Sequence, residues 1–309
     1  MTGCPTSCGR LATVRARSDE PPGKEMEQLV ETINDCQLNV YNFRVLLAGP
    51  ATQYGALRFD PNNTCNLHCV YCHNDRSDEI IDADELTEFL QTKVLSVSTF
   101  QVGCVMEPTL DKRLADIMLI VAHSPAKPVH DYILQTNGIL LHTHDYKKMI
   151  EAGLTRLSVS MDAADPQIQK SLRGGMSIQK VIRNVEGFRK ECPQVSVEFI
   201  TTVTRANVDE LEALVELGLG LGVQRFIFRE LFYYPDNNVV DHSRMPGLLL
   251  QSGQFSAMTE RIKSRYQGRA DLIFAPNEVL DASARTMTEN SKFVGRDVGV
   301  VWLHADERN

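Results

Sequence analysis

The stretch ALRFDPNNTCNLHCVYCHN, residues 56–74, joins a short apolar run to a loop that carries three cysteines. The run ALRFD (56–60) has the length and composition of a buried strand. The cysteines that follow it, Cys65, Cys69 and Cys72, have the spacing C-x3-C-x2-C. In α/β barrels the loops that follow the strands carry the chemistry. The stretch therefore favours an α/β fold with a site at the strand ends.

Downstream, apolar β-rich runs alternate with amphipathic stretches of helix length. The predicted strands are 56–60, 97–103, 132–138, 156–162, 195–203 and 224–231. The predicted helices lie near 83–94, 111–123, 145–152, 177–191 and 207–221. Each of these helices is long enough to connect two parallel strands. The pattern predicts an α/β fold, a partial six-stranded parallel (β/α) barrel of the TIM type.

The predicted core barrel spans residues 55–235. Before it, residues 1–23 are polar and read as a flexible tail, and residues 24–54 form a lead-in with a short N-terminal helix. After it, residues 236–309 are predicted to form a C-terminal helix and a cap that includes the strand-like DLIFAP (271–276). The chain thus divides into a tail, a lead-in, one barrel and a cap.

Composition narrows the class of partner. The 309 residues carry a formal charge of −8, which argues against nucleic acid because phosphate binding needs a basic surface. No window approaches the roughly 18 apolar residues of a membrane span. The first residues lack the apolar core of a secretory signal. We expect a cytoplasmic protein with a small-molecule substrate and neither a membrane nor a nucleic-acid partner.

Eight cysteines in a chain of this composition favour metal ligation over a disulfide framework. A compact loop can point the thiolates of Cys65, Cys69 and Cys72 at one face of an iron–sulfur cube. Such cubes usually take four cysteines, so three would leave one iron open to another ligand. The alternative is a structural zinc ion, for which His68 or His73 would have to supply a fourth ligand.

At these cysteines the sequence resembles the radical S-adenosylmethionine (SAM) superfamily, whose motif has an aromatic residue before the last cysteine. Tyr71 occupies that position. The resemblance covers roughly residues 55 to 231. It implies a [4Fe-4S] cluster on Cys65, Cys69 and Cys72, with SAM bound at the open iron and cleaved to a 5′-deoxyadenosyl radical that abstracts hydrogen.

Two later strand ends extend the resemblance to SAM-binding residues. The loop GCVMEPTL (103–110) resembles the family's turn that receives the SAM amino group, and it assigns that role to Glu107, although Met106 replaces a glycine. The segment SVSMDAADPQIQKSLRGG (158–175) resembles the family's fourth strand end. It implies that Ser160 contacts the SAM ribose and that Arg173 binds the SAM carboxylate.

Each of these assignments has a structural alternative. Glu107 suits a helix start, where a carboxylate meets the positive end of the macrodipole. Asp162 could act only as an N-cap, and Arg173 could be a solvated helix residue. Both readings of Glu107 can hold together.

Charged residues within apolar strands indicate a substrate pocket. Glu198 lies in the fifth strand, and Arg229 and Glu230 follow RFIF in the sixth. A charge in such a strand is costly unless it is paired or faces a polar cavity. The alternatives are an ion pair at the barrel mouth and an outward, solvated position.

The remaining cysteines divide into one candidate and several bystanders. Cys104 lies three residues before Glu107 and could return a hydrogen atom to a substrate radical, or simply pack as a small residue. Cys4 and Cys8 lie in the predicted tail, and Cys36 and Cys192 in helix or loop sequence. No cysteine follows Cys192, so we expect no cysteine-rich extension of the SPASM or twitch type that many relatives carry.

The resemblance predicts a radical SAM enzyme of biosynthesis whose substrate is a sugar, nucleoside or amino acid. Without an auxiliary cluster we expect a redox-neutral outcome: epimerisation, decarboxylation, elimination, rearrangement or carbon–carbon bond formation. The cluster must reach a very negative potential, so reduced ferredoxin or flavodoxin is the expected electron donor. The alternatives are a radical SAM peptide maturase and, from another class, a metal-binding interaction protein without turnover.

Overall fold

The structure is a computed structural model that describes residues 52–125, 128–233, 235, 237–277, 297–298 and 301–302. The predicted tail and N-terminal helix lie outside the described residues, together with residues 236, 278–296, 299–300 and 303–309 of the predicted C-terminal region. Cys4, Cys8 and Cys36 also lie outside them. The described part contains the whole of the predicted barrel except for a few loop residues.

Seven parallel strands form one sheet in the order in which they occur along the chain. They are β1 (Thr52–Phe59), β2 (Val94–Val102), β3 (Pro128–Thr136), β4 (Arg156–Ser160), β5 (Ser196–Val203), β6 (Arg225–Glu230) and β7 (Asp271–Ala275). Within the described residues β1 and β7 do not pair with each other. The sheet is therefore an open, partial parallel barrel, which confirms the predicted fold class.

Helices connect the strands and cover the outer face of the sheet. They are α1 (Ala83–Thr92), α2 (Leu114–His123), α3 (Tyr146–Glu151), α4 (Pro166–Leu172), α5 (Ile178–Glu191), α6 (Leu211–Gly220), α7 (Met245–Leu248) and α8 (Gln254–Tyr266). Two 3-10 turns, Pro108–Leu110 and Leu141–Thr143, precede α2 and α3, and β8 (Asp297–Val298) and β9 (Val301–Trp302) form a short antiparallel pair. None of the described helices is both long and apolar enough to cross a bilayer.

Two elements differ from the sequence-based expectation. The count of six strands was wrong, because the DLIFA segment assigned to the cap forms β7 and pairs in parallel with β6. Its residues show no burial alternation, so the period-2 signal is weak. Helix α4 was also missed, because it has only seven residues; Asp165 caps its first turn and Pro166 opens it.

The two faces of the sheet have opposite character. On the outer face, Phe59, Phe100 and Tyr132 pack edge to face, with ring centroids 5.3 and 5.7 Å apart, against the helices. On the inner face, Gln101 Nε2 donates to Gln135 Oε1 over 3.0 Å. Neighbouring side chains of a strand point to opposite faces, so a barrel with an apolar shell can carry a polar interior.

Candidate active site

The three cysteines of the motif line one cavity at the carboxyl ends of the strands. Cys65, Cys69 and Cys72 are half-buried on the loop that follows β1. The cavity has a volume of about 310 Å³. Its other walls come from the loop after β2 and from the ends of β3, β4, β5 and β6, and include Gln135, Asn137, Ser160, Arg173, Thr202 and Arg229. Residues from distant parts of the sequence therefore meet the cysteine loop in one place.

Backbone hydrogen bonds hold the cysteine loop in shape. Arg76 donates through Nη1 to the Cys65 carbonyl over 3.0 Å and through Nη2 to the Leu67 carbonyl. The amide of Val70 donates to the Leu172 carbonyl at the end of α4 over 2.9 Å. These bonds fix the backbone between the first two cysteines and join it to the region after β4.

Gly174 allows this loop to approach α4 closely. It has φ of +56°, and a Cβ at this position would lie 2.3 Å from the His68 carbonyl oxygen. A side chain cannot occupy that space, and the left-handed conformation is itself unfavourable for residues other than glycine. The contact between the cysteine loop and residue 174 thus requires glycine.

Burial disfavours the charged form of two of the thiols. Desolvation raises the pKa of Cys65, and it raises the pKa of Cys69 to about 11, although Arg173 opposes the latter shift. A metal must therefore displace protons from these sulfurs. In the described part of the chain no three His, Cys, Asp or Glu side chains converge on a point where one metal ion could sit. A cubane does not require the three thiolates to converge on one point, because each thiolate binds a different iron.

Tyr71 and Arg173 meet at a carboxylate whose importance the sequence did not reveal. Asp162 is fully buried and accepts from Arg173 Nε over 2.7 Å and from Arg173 Nη2 over 2.8 Å. It also accepts from the Tyr71 hydroxyl and, over 2.9 Å, from the Thr202 amide. Burial opposes the charge of Arg173, but Asp162 holds the pKa of Arg173 well above its usual range. Asp162 is not an N-cap, because Asp165 caps α4.

Glu107 is buried and accepts several hydrogen bonds from the protein. Its carboxylate accepts from the Thr109 amide over 3.0 Å, the Thr136 hydroxyl over 2.6 Å and the Asn137 amide over 2.7 Å. Desolvation raises its pKa, and these hydrogen bonds oppose the shift. The side chain caps the 3-10 turn Pro108–Leu110, as the alternative reading expected, and the residue also lines the cavity.

Asp60 organises the loop after β2, and sequence reasoning missed it. Its buried carboxylate accepts from the amides of Cys104, Val105 and Met106 over 2.9, 3.1 and 3.2 Å. The Cys104 thiol also donates to it over 3.1 Å. Desolvation raises the pKa of Asp60 to about 6. Its position as the last residue of the predicted first strand was the available signal.

The structure separates the three charged residues predicted to line a substrate pocket. Arg229 and Glu230 line the cavity, as do Ser160 and Cys104. Glu198 does not, because it lies near the start of β5, below the strand ends, where it pairs with Arg225 at 3.1 Å and Arg156 at 3.7 Å. Its predicted place in the pocket is therefore wrong, and the ion-pair alternative is correct, although the pair lies below the barrel mouth.

Sequence comparison identifies relatives of the chain. The Radical SAM superfamily model matches residues 60–218. A protein of Methanococcus aeolicus named "Probable GTP 3',8-cyclase" is 26% identical over 237 residues, which cover 75% of this chain and 69% of the relative. The protein of that name from Archaeoglobus fulgidus is 27% identical over 194 residues, or 56% of this chain and 63% of the relative.

Solved structures share the fold at low identity. Streptococcus suis SuiB bound to S-adenosylmethionine aligns with a TM-score of 0.56 and 15% identity over 87% of this chain and 59% of SuiB. The protein anSMEcpe with bound AdoMet and a peptide aligns with a TM-score of 0.53 and 18% identity over 80% of this chain and 69% of anSMEcpe. The family model matches more than half of the chain. The strands of the chain have the partial-barrel arrangement of that family. The chain therefore belongs to the radical SAM superfamily, a class of enzymes whose cofactors are a [4Fe-4S] cluster and S-adenosylmethionine.

Proposed function

We propose that Cys65, Cys69 and Cys72 hold the [4Fe-4S] cluster and that the enzyme acts on a small molecule bound in the adjoining cavity. When bound and reduced, the cluster supplies the electron that cleaves SAM to a 5′-deoxyadenosyl radical, which abstracts hydrogen from the substrate. The observation that carries the proposal is that the three thiols line the same cavity as the ends of β3 to β6. The fit rests on the donor set, because three free, half-buried cysteine thiols are the ligands that iron–sulfur clusters take.

SAM would lie against the walls nearest the cysteine loop. Asp162 holds two edges of the Arg173 guanidinium, and Nη1 makes no hydrogen bond to any described residue. We assign that remaining edge to the SAM carboxylate, because a guanidinium suits a carboxylate in charge and geometry. Ser160, at the end of β4, would contact the ribose, and the loop that ends at Glu107 would receive the amino group.

A small molecule is the favoured substrate class. The curated relatives carry the name of an enzyme that acts on GTP, which is a small molecule. The substrate of this chain would be a sugar, nucleoside or amino acid, and the reaction would be redox-neutral. Reduced ferredoxin or flavodoxin would supply the electron.

We also propose that the Cys104 thiol returns a hydrogen atom to the substrate radical. It lines the cavity and donates to Asp60. In the proposed step the S–H bond breaks and a C–H bond forms on the substrate radical. The sulfur radical then returns to the thiol by taking one electron from the external reductant and one proton from solvent. We expect Cys104→Ala to keep its iron and to release 5′-deoxyadenosine while losing or altering the product. Product at the wild-type yield would eliminate this role.

Anaerobic reconstitution tests the proposal. The wild-type protein should bind close to four irons per chain and release 5′-deoxyadenosine from SAM under dithionite, whereas Cys65→Ala should abolish release. Cys192→Ala is the matched control, because this thiol is fully buried at the end of α5 and does not line the cavity. Binding of a single zinc without SAM cleavage would refute the assignment.

A further inference from the structure

The cavity is lined by three arginines with different surroundings. Arg173 is paired with Asp162, and Arg76 donates to two carbonyls of the cysteine loop. Arg229, at the end of β6, makes no hydrogen bond or ion pair with any described residue. It is the cation on this wall that the surrounding protein leaves available.

Two nearby charges act on Arg229 in opposite directions. Arg58 on β1 disfavours its positive charge, whereas Glu198 favours it, although Glu198 forms its ion pairs with Arg156 and Arg225. Desolvation, followed by Arg58, lowers the pKa of Arg229 to about 10, so the side chain stays cationic at neutral pH. The Glu230 carboxylate next to it accepts from the Asn277 amide over 3.0 Å.

We propose that Arg229 binds an oxyanion group, a carboxylate or a phosphate, of the substrate. Arg229 is exposed in the wall of the cavity, so an anionic ligand can reach its guanidinium and would form charge-assisted hydrogen bonds with it. Arg229 lies on β6, whereas the SAM carboxylate is assigned to Arg173 after β4, so the two anions would occupy different walls. The assignment of this anion to the substrate rests on the proposed function, but anion binding can be tested without turnover.

The test measures anion binding by calorimetry on the reconstituted protein saturated with SAM. Pyrophosphate and malonate, titrated separately at constant ionic strength, represent phosphates and carboxylates. We expect the wild-type protein to bind one of them and Arg229→Met to weaken that binding about tenfold or more, as the loss of a charge-assisted hydrogen bond predicts. Arg229→Lys keeps the charge but loses the planar fork, so its affinity for the anion should lie between those of the wild type and Arg229→Met.

Arg183→Met is the matched control, because Arg183 is exposed on α5 and its replacement changes the net charge equally. It should bind the anion within about twofold of wild type, the scatter expected for a remote surface change. Equal affinity in Arg229→Met, equal loss in Arg183→Met, or no binding by the wild type would overturn the proposal. Binding seen only without SAM would also overturn it, by assigning Arg229 to SAM. Release of 5′-deoxyadenosine is measured separately, so failure of the proposed function can be told apart from failure of the anion site at Arg229.

Discussion

The cysteine side of the cavity and its β6 side differ in how their charged side chains are paired. On the cysteine side, Asp60, Glu107 and Asp162 are buried carboxylates, and each accepts at least three hydrogen bonds from the protein. On the β6 side, Arg229 has no such partner among the described residues. The protein itself satisfies the carboxylates on the cysteine side, whereas the exposed Arg229 on the other side forms no hydrogen bond or ion pair with a described residue.

This difference fits a division of labour within the site. A fully bonded carboxylate fixes the backbone around it, because loss of a donor leaves a buried charge unsatisfied. Such rigidity suits cofactors, whose geometry must be held before the reaction. A cation without a partner suits a ligand that comes and goes. The comparison therefore predicts structural damage from changes on the cysteine side and altered binding from changes at Arg229.

The largest effect should come from Asp162→Asn. This change leaves the Arg173 guanidinium buried without its counter-ion, and breaking a buried pair in this way costs about 3–5 kcal/mol. We expect a loss of that order in the free energy of unfolding, measured by urea denaturation, together with weaker SAM binding.

Asp165→Asn provides the control for this prediction. Asp165 lies three residues later and caps the first turn of α4, a position where asparagine serves as well as aspartate. Its free energy of unfolding should stay within about 0.5 kcal/mol of wild type. A similar small change in Asp162→Asn would show that the cysteine side does not depend on this carboxylate.

A smaller effect should follow from Gly174→Ala. The new methyl group would meet the His68 backbone, and overpacking of this kind costs about 1–3 kcal/mol beyond the backbone strain. We expect fewer irons bound per chain after reconstitution. Gly175→Ala separates contact from strain, because Gly175 also has a positive φ, +97°, but a Cβ there would meet nothing within 4 Å. Equal iron content in the two variants would argue against the close approach.

The sequence predicted the frame of the molecule better than its contacts. Strands β1 to β6 and five helices follow from hydrophobic period, which reports local burial. The hydrogen bond from the Cys104 amide to Asp60 joins residues 44 apart, and no local pattern encodes such a partner. Strand alternation predicts the face of the sheet on which Glu198 lies, but not how far it lies from the carboxyl end of β5. Its predicted position in the pocket was therefore wrong.

The smallest effect concerns the pH dependence contributed by Asp60. Burial raises its pKa from 3.8 to about 6, so the folded chain binds this proton more tightly than the unfolded chain. Stability contributed by the protonated form is therefore lost as pH rises through this range, and between pH 5 and pH 7 the loss is about 1 kcal/mol.

Asp60→Asn cannot ionise, so its free energy of unfolding should lack this part of the decline, measured by urea denaturation at both pH values. Asp75→Asn, a change at an exposed aspartate on the cysteine loop, should keep the wild-type decline. If Asp60→Asn declines as steeply as wild type, the carboxylate beneath residues 104–106 does not titrate in this range, and the cysteine side is less desolvated than its burial implies.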